Sequence, residues 1–188
     1  MLTAERETAT HPVTVEEYRL IPEGRPFYEL EQGELIEMAS PKGEHQTVMG
    51  RLFGVIDSLV RERKLGNVWI ELDTELPNGN VYIPDLAFLS SERVGLYDAE
   101  IGNIVGAPDL VVEILSRHDH ARDTVQKFRS YQESGVRWYW IVDPQTLTIE
   151  EYELHPEGYL STARVGKGET FTPRAFPGLM IDLAALMA

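Results

Sequence analysis

The chain has 188 residues, of which 43% are hydrophobic, 26% charged and 9% aromatic. These proportions exclude disorder, collagen and coiled coil, and the length fits one domain that removes roughly 70% of its unfolded surface from water. A net charge of −14 argues against a groove that tracks nucleic-acid phosphates by bulk positive charge. A metal-dependent site stays possible, because a cation inverts the local field. Cysteine is absent, so a disulfide scaffold, a thiolate zinc site and a cysteine nucleophile are excluded.

Residues 1–12 are polar and are expected to be loose; they contain no secretory apolar run. No stretch approaches the ~20 apolar residues that span a bilayer, so the reading is of a soluble, cytoplasmic protein. The segment 13–21 fits a short helix, broken by Pro22, Gly24 and Pro26. Residues 27–39 alternate as a hairpin around Gln32-Gly33. A helix follows, with Ser40 as its cap, Pro41 in its first turn, and Val48, Leu52, Val55, Ile56 and Leu59 at helical spacing. It ends near Gly66.

Strands are expected over 67–76 and 81–90 around the turn 77–80, then a loop over 91–107. Residues 108–116 are apolar on both faces except at carboxylates, which places them at the centre of a sheet. A second helix, 119–134, turns Ala121, Val125 and Phe128 inward and ends at Gly135. A buried strand covers 136–144, a hairpin 147–165, and a short helix closes the chain. The order is helix, three strands, helix, strand, with hairpins added at both ends. This describes one α/β domain over residues 1–188 with a mixed sheet.

Carboxylates inside apolar strands are costly unless paired with a cation. Asp85 and Glu113 are two such residues on neighbouring strands. Facing side chains of antiparallel neighbours stand about 4.5–5.5 Å apart, close enough to share one small divalent ion. Magnesium accepts one or two carboxylates and keeps several waters. Asp109 lies roughly 13 Å from Glu113 along the strand, too far to share that ion, and is read as ordering the strand start or its loop. His118 and His120 are close in sequence but read as caps and surface charge.

The run YELEQGELIEM, then Glu44-His45-Gln46, LPNGNVYIPDLAF, PDLVVEILS, Asp123, Lys127, Tyr131 and GVRWYWIVDP resembles the Uma family of restriction-endonuclease-like bacterial proteins. That family belongs to the PD-(D/E)XK nuclease superfamily. The resemblance covers about residues 27–185. It implies a restriction-endonuclease-like core with Asp85 as the motif aspartate and Glu113 as the motif glutamate. The motif lysine is missing: Glu113-Ile114 is followed by Leu115. The resemblance implies that the lysine role has moved to the next helix, onto Lys127, with Gln126 as the fallback. It also implies an acid from the first helix, which favours Glu44, whereas burial favours His45.

The expected chemistry is hydrolysis of nucleic-acid phosphodiester bonds, DNA foremost, assisted by Mg²⁺ or Mn²⁺. Asp85, Glu113 and the Ile114 carbonyl would hold the ion, Lys127 would steady the attacking water or the phosphate, and Glu44 or His45 would complete the site. Residues 51–64 and 117–137 each carry two more basic than acidic groups, against an excess of five acidic groups over 14–44. A modestly positive mouth on an acidic body would then need a homodimer or a partner to hold long DNA. The alternative is an inactive relative that binds nucleic acid or protein. No phosphate-cradling glycine loop and no dinucleotide fingerprint is present.

Overall fold

The computed structural model describes residues 11–22, 24–40, 42–116 and 123–187. The expectations for residues 1–10, Pro41 and the His118/His120 pair lie outside them, as does that for Ala121. Helix α1 (Val15–Tyr18) is closed by a capping box between Thr14 and Glu17. The hairpin β1 (Tyr28–Glu31) and β2 (Glu34–Glu37) follows, turning at Gln32-Gly33 with both residues at positive φ. Helix α2 (Gly43–Arg63) starts later than the sequence suggests. Its N-cap is Lys42, whose ammonium has no acceptor to offer the first amides; the Ser40 hydroxyl accepts a bond from Arg25 Nη1 (2.8 Å).

The two long strands expected over 67–76 and 81–90 are each broken in the middle. One gives β3 (Gly66–Ile70) and β4 (Thr74–Glu75), the other β5 (Val81–Tyr82) and β6 (Leu86–Ser90). Glu71, at φ 46°, turns the first run out of its sheet, and Pro84 lacks the N–H that would continue the second. The outer pieces β3 and β6 pair with each other, and so do the inner pieces β4 and β5, in a different sheet. The expected 91–107 loop holds a further hairpin, β7 (Tyr97–Asp98) and β8 (Asn103–Val105). Then come β9 (Leu110–Ile114), α3 (Phe128–Ser134), β10 (Trp138–Asp143), the hairpin β11 (Thr148–His155) and β12 (Gly158–Val165), β13 (Thr170–Phe171), β14 (Ile181–Asp182) and α4 (Leu183–Met187).

The larger sheet runs β12-β11-β10-β9-β6-β3 and is antiparallel except between β9 and β10. A second sheet runs β2-β1-β5-β4-β8-β7. In the larger sheet the chain order is α2, β3, β6, β9, α3, β10. Helix α2 lays Val48, Met49, Leu52, Ile56 and Val60 over one face, against Leu110, Val112 and Ile114 of β9. Each such side chain contributes about 1.5–3 kcal/mol by leaving water. Val111 and Leu115 point the other way, into a cluster with Tyr131 and Tyr139 on the α3 side. Strand β9 therefore separates two packed layers, and Glu113, alternating with its neighbours, belongs to the α3 side.

The second helix departs from a regular repeat. Asp123–Lys127 form a π-helical turn before α3 begins. The wide turn shifts the helical phase. Val125, expected inward, is 50% exposed, and Lys127 is 1% exposed. The alternation of 147–165 and the αL glycine at Gly135 (φ 85°) match the sequence reading. In the closing segment, a strand, β14, precedes the helix and pairs with β13.

Candidate active site

The site is built around β9. Asp85 stands just ahead of β6, held by a bond from the Glu71 amide to its carbonyl (3.2 Å). Extending the β6–β9 register by one step puts Asp85 opposite Glu113. Its carboxylate is 8% exposed. Oδ2 accepts the Ile114 backbone N–H at 2.6 Å. Oδ1 lies 3.2 Å from His45 Nε2, in the first turns of α2. Desolvation is the largest influence on His45 and pulls its pKa down. The Asp85 hydrogen bond and charge, the Ile114 backbone carbonyl and Glu71 together outweigh it, so the pKa is raised. His45 Nδ1 is buried with no hydrogen-bond partner among the described residues.

Glu113 is 4% exposed. Its Oε1 accepts from the Tyr131 hydroxyl (2.6 Å) and from Lys127 Nζ (3.1 Å). Lys127 Nζ also lies 3.0 Å from Oε1 of Glu29, a fully buried residue of β1. It sits 5.5 Å from the centre of the Tyr82 ring. The Ile83 backbone N–H fixes the same Glu29 oxygen at 2.9 Å. Desolvation, then the charges of Glu113 and Glu29, raise the Tyr131 pKa well above the ordinary value, so its phenol stays protonated and donates.

Glu29 and Glu113 thus share the Lys127 ammonium, while Asp85 is paired with His45. Among the described residues no three His, Cys, Asp or Glu side chains are grouped to hold a metal ion. Magnesium and manganese need fewer, since backbone carbonyls and water complete their shells. The Asp85 carboxylate, 3.2 Å from His45 Nε2, and the Ile114 carbonyl, which acts on the same imidazole, are hard oxygen donors of the right kind. The donor set fits such an ion on chemistry.

The expected residues therefore fall into two groups. Asp85, His45 and the Ile114 backbone form one set of contacts; Glu113 and Lys127 form another. Glu44 is exposed on α2, and Gln126 is exposed on the π turn. Asp109 orders the loop after β6, accepting from the Ser90 amide (2.7 Å) and from Arg93 Nη1 (2.9 Å).

Residues 15–184 match the family described as "Uma2: Putative restriction endonuclease". The chain belongs to the Uma2 family. The fold has a solved counterpart, a protein from Anabaena variabilis ATCC 29413 described as a "putative nuclease belonging to DUF820". The two are 22% identical, with a TM-score of 0.76, over 94% of this chain and 100% of that one. No curated protein matches the chain. Among the described residues of this Uma2 member, no helix is long and apolar enough to cross a membrane.

Two site residues of this Uma2 chain were not picked out by sequence reasoning. Glu29 looks like the wet face of an alternating hairpin. Tyr131 enters only as part of the family resemblance. Glu29 and Glu31 share one face of β1, and Glu31 also turns inward, accepting from the Tyr82 hydroxyl at 2.8 Å.

Proposed function

We propose that this chain is a metal-dependent nuclease that hydrolyses phosphodiester bonds of nucleic acid. The observation that carries the reading is the buried Lys127, fixed between Glu29 and Glu113 on the strand whose next residue, Ile114, meets Asp85 and His45. Burying a lysine with two carboxylates is a poor device for stability alone, and such groups concentrate where chemistry is done.

Asp85 and the Ile114 carbonyl, with Glu113 beside them, would hold Mg²⁺ or Mn²⁺, which supplies a bound water of lowered pKa and neutralises phosphate charge. Lys127 donates to the attacking water or to a phosphate oxygen. Glu29 and Tyr131 keep that ammonium and the Glu113 carboxylate in position. His45 holds Asp85 in place. DNA is the substrate we favour, and cutting both strands of it suits a homodimer.

A second reading rests on the same hydrogen bonds. The Asp85 and Glu113 oxygens are already engaged by Ile114, His45, Lys127 and Tyr131, as they would be in an inactive nuclease fold that only binds. A cleavage assay on plasmid, single-stranded DNA and RNA with Mg²⁺ and Mn²⁺ separates the two. The enzyme reading expects cutting that Asp85→Asn and Lys127→Gln abolish. Equal cutting by all three proteins, or none by any, removes it.

A further inference from the structure

A cleft of about 550 Å³ opens beside the site, between α1, the start of β1, the β3–β4 turn and the loop before β8. Its volume falls in the range of small-molecule sites. Phe27 and Tyr28 supply aromatic wall, Glu71, Asp73 and Glu100 supply carboxylates, and Arg19, whose guanidinium is bound to Glu75, also lines the cleft. The Tyr18 hydroxyl, which is also bonded to the Tyr28 carbonyl (2.8 Å), holds Asp73 Oδ2 at 3.3 Å. Phe27 is 42% exposed at the rim, and the Arg25 guanidinium lies 5.2 Å from its ring centre.

The cleft and the site share their backbone. The Glu71 amide bonds to the Asp85 carbonyl, and Glu71 is held at φ 46° to do so. Ile83, on the cleft wall, gives its N–H to Glu29, the partner of Lys127. A molecule in the cleft therefore sits against backbone that also holds Asp85 and Glu29.

Aromatic rings stack any planar base. Carboxylates select for N–H donors: guanine offers N1–H and its amino group to one carboxylate, whereas uracil and thymine turn carbonyl oxygens toward it. The acidic lining repels a phosphate, so the ring enters and the phosphate stays outside. There it meets Arg25, whose partner Ser40 leads into the uncapped N-terminus of α2.

Building on the nuclease reading, we infer that this cleft takes one unpaired nucleobase bearing amino and ring N–H donors, guanine foremost, and that the substrate class is single-stranded or locally unpaired nucleic acid. A paired base has its donor edge occupied and cannot enter.

The test is binding of 5′-GMP and 5′-UMP to the full chain in EDTA, followed by saturation-transfer NMR and calorimetry. GMP is expected to bind about tenfold tighter than UMP. Phe27→Ala should weaken GMP about tenfold, the scale of one lost stacking contact. Asp73→Asn, which keeps the shape, should erase the preference. Equal affinities in the wild-type chain, no binding of either nucleotide, or wild-type binding by folded Phe27→Ala overturns the assignment. The readout needs neither metal nor cleavage. A chain that discriminates the nucleotides but cuts nothing sinks the nuclease reading alone, and one that cuts without discriminating sinks the cleft alone.

Discussion

The ammonium of Lys127 lies 3.0 Å from the carboxylate of Glu29, tying the helix that follows β9 to the hairpin near the start of the chain. Both groups are almost wholly removed from water. The contact joins the two six-stranded sheets at the point where Glu113 also arrives.

Removing the shared cation leaves two buried carboxylates aimed at each other. Lys127→Met is expected to lower stability by about 3–5 kcal/mol, measured by urea denaturation. Adding Glu29→Gln should restore much of the loss while cleavage stays absent. A double variant no more stable than Lys127→Met shows that repulsion between the carboxylates is not the cause.

An ion at Asp85 should stabilise the fold by mass action, about 2.7 kcal/mol at a hundredfold excess over its dissociation constant. Thermal melts with and without Mn²⁺ are expected to show a rise for the wild-type chain and little for Asp85→Asn. An equal rise in both places the ion elsewhere.

Asp73 makes stability depend on pH in an uncommon direction. Desolvation, then the charges of Glu75 and Glu29, raise its pKa, against a lowering bond from Tyr18. The folded chain thus holds this proton more tightly than the unfolded one. The ionised group works against folding at neutral pH, and the penalty is relieved as pH falls through the raised pKa. Asp73→Asn is expected to melt higher than wild type at pH 7, with the gap closing in acid. A gap that widens in acid contradicts this.

Glu151 has no part in the site but anchors the C-terminal segment. Fully buried, it accepts from Trp140 Nε1 (3.0 Å), the Thr162 hydroxyl (2.8 Å) and the Arg174 and Ala175 amides (3.0 and 3.1 Å). Glu151→Ala is expected to cost about 3 kcal/mol or more, because several donors lose their acceptor. Glu151→Gln should cost less. Urea titration followed by tryptophan fluorescence reads both, and a neutral Glu151→Ala refutes the anchoring role.

Much of this was legible from residue order. Helix α2 and the hairpins β1–β2 and β11–β12 follow from period and turn residues, and β9 reads as central because both its faces are apolar. Asp85 and Glu113 stood out as charges in apolar runs. The sheet change was hidden, because alternation continues through Glu71 and Pro84 while the backbone turns away. The burial of Lys127 was hidden for a similar reason. A projection at 3.6 residues per turn puts it on a flank, and the π turn moves it inward. Glu29 could not be assigned locally, since distant packing decides which face of a hairpin is covered.

The division of labour along β9 has an evolutionary consequence. Glu113 sends its side chain to Lys127, whereas Ile114 offers its main chain to Asp85. A descendant could lose the aspartate half by one substitution and keep the lysine trio, whose loss would endanger folding. Retention of that trio across a lineage would therefore be a poor sign of surviving activity, and drift at the aspartate would be the first mark of its decay.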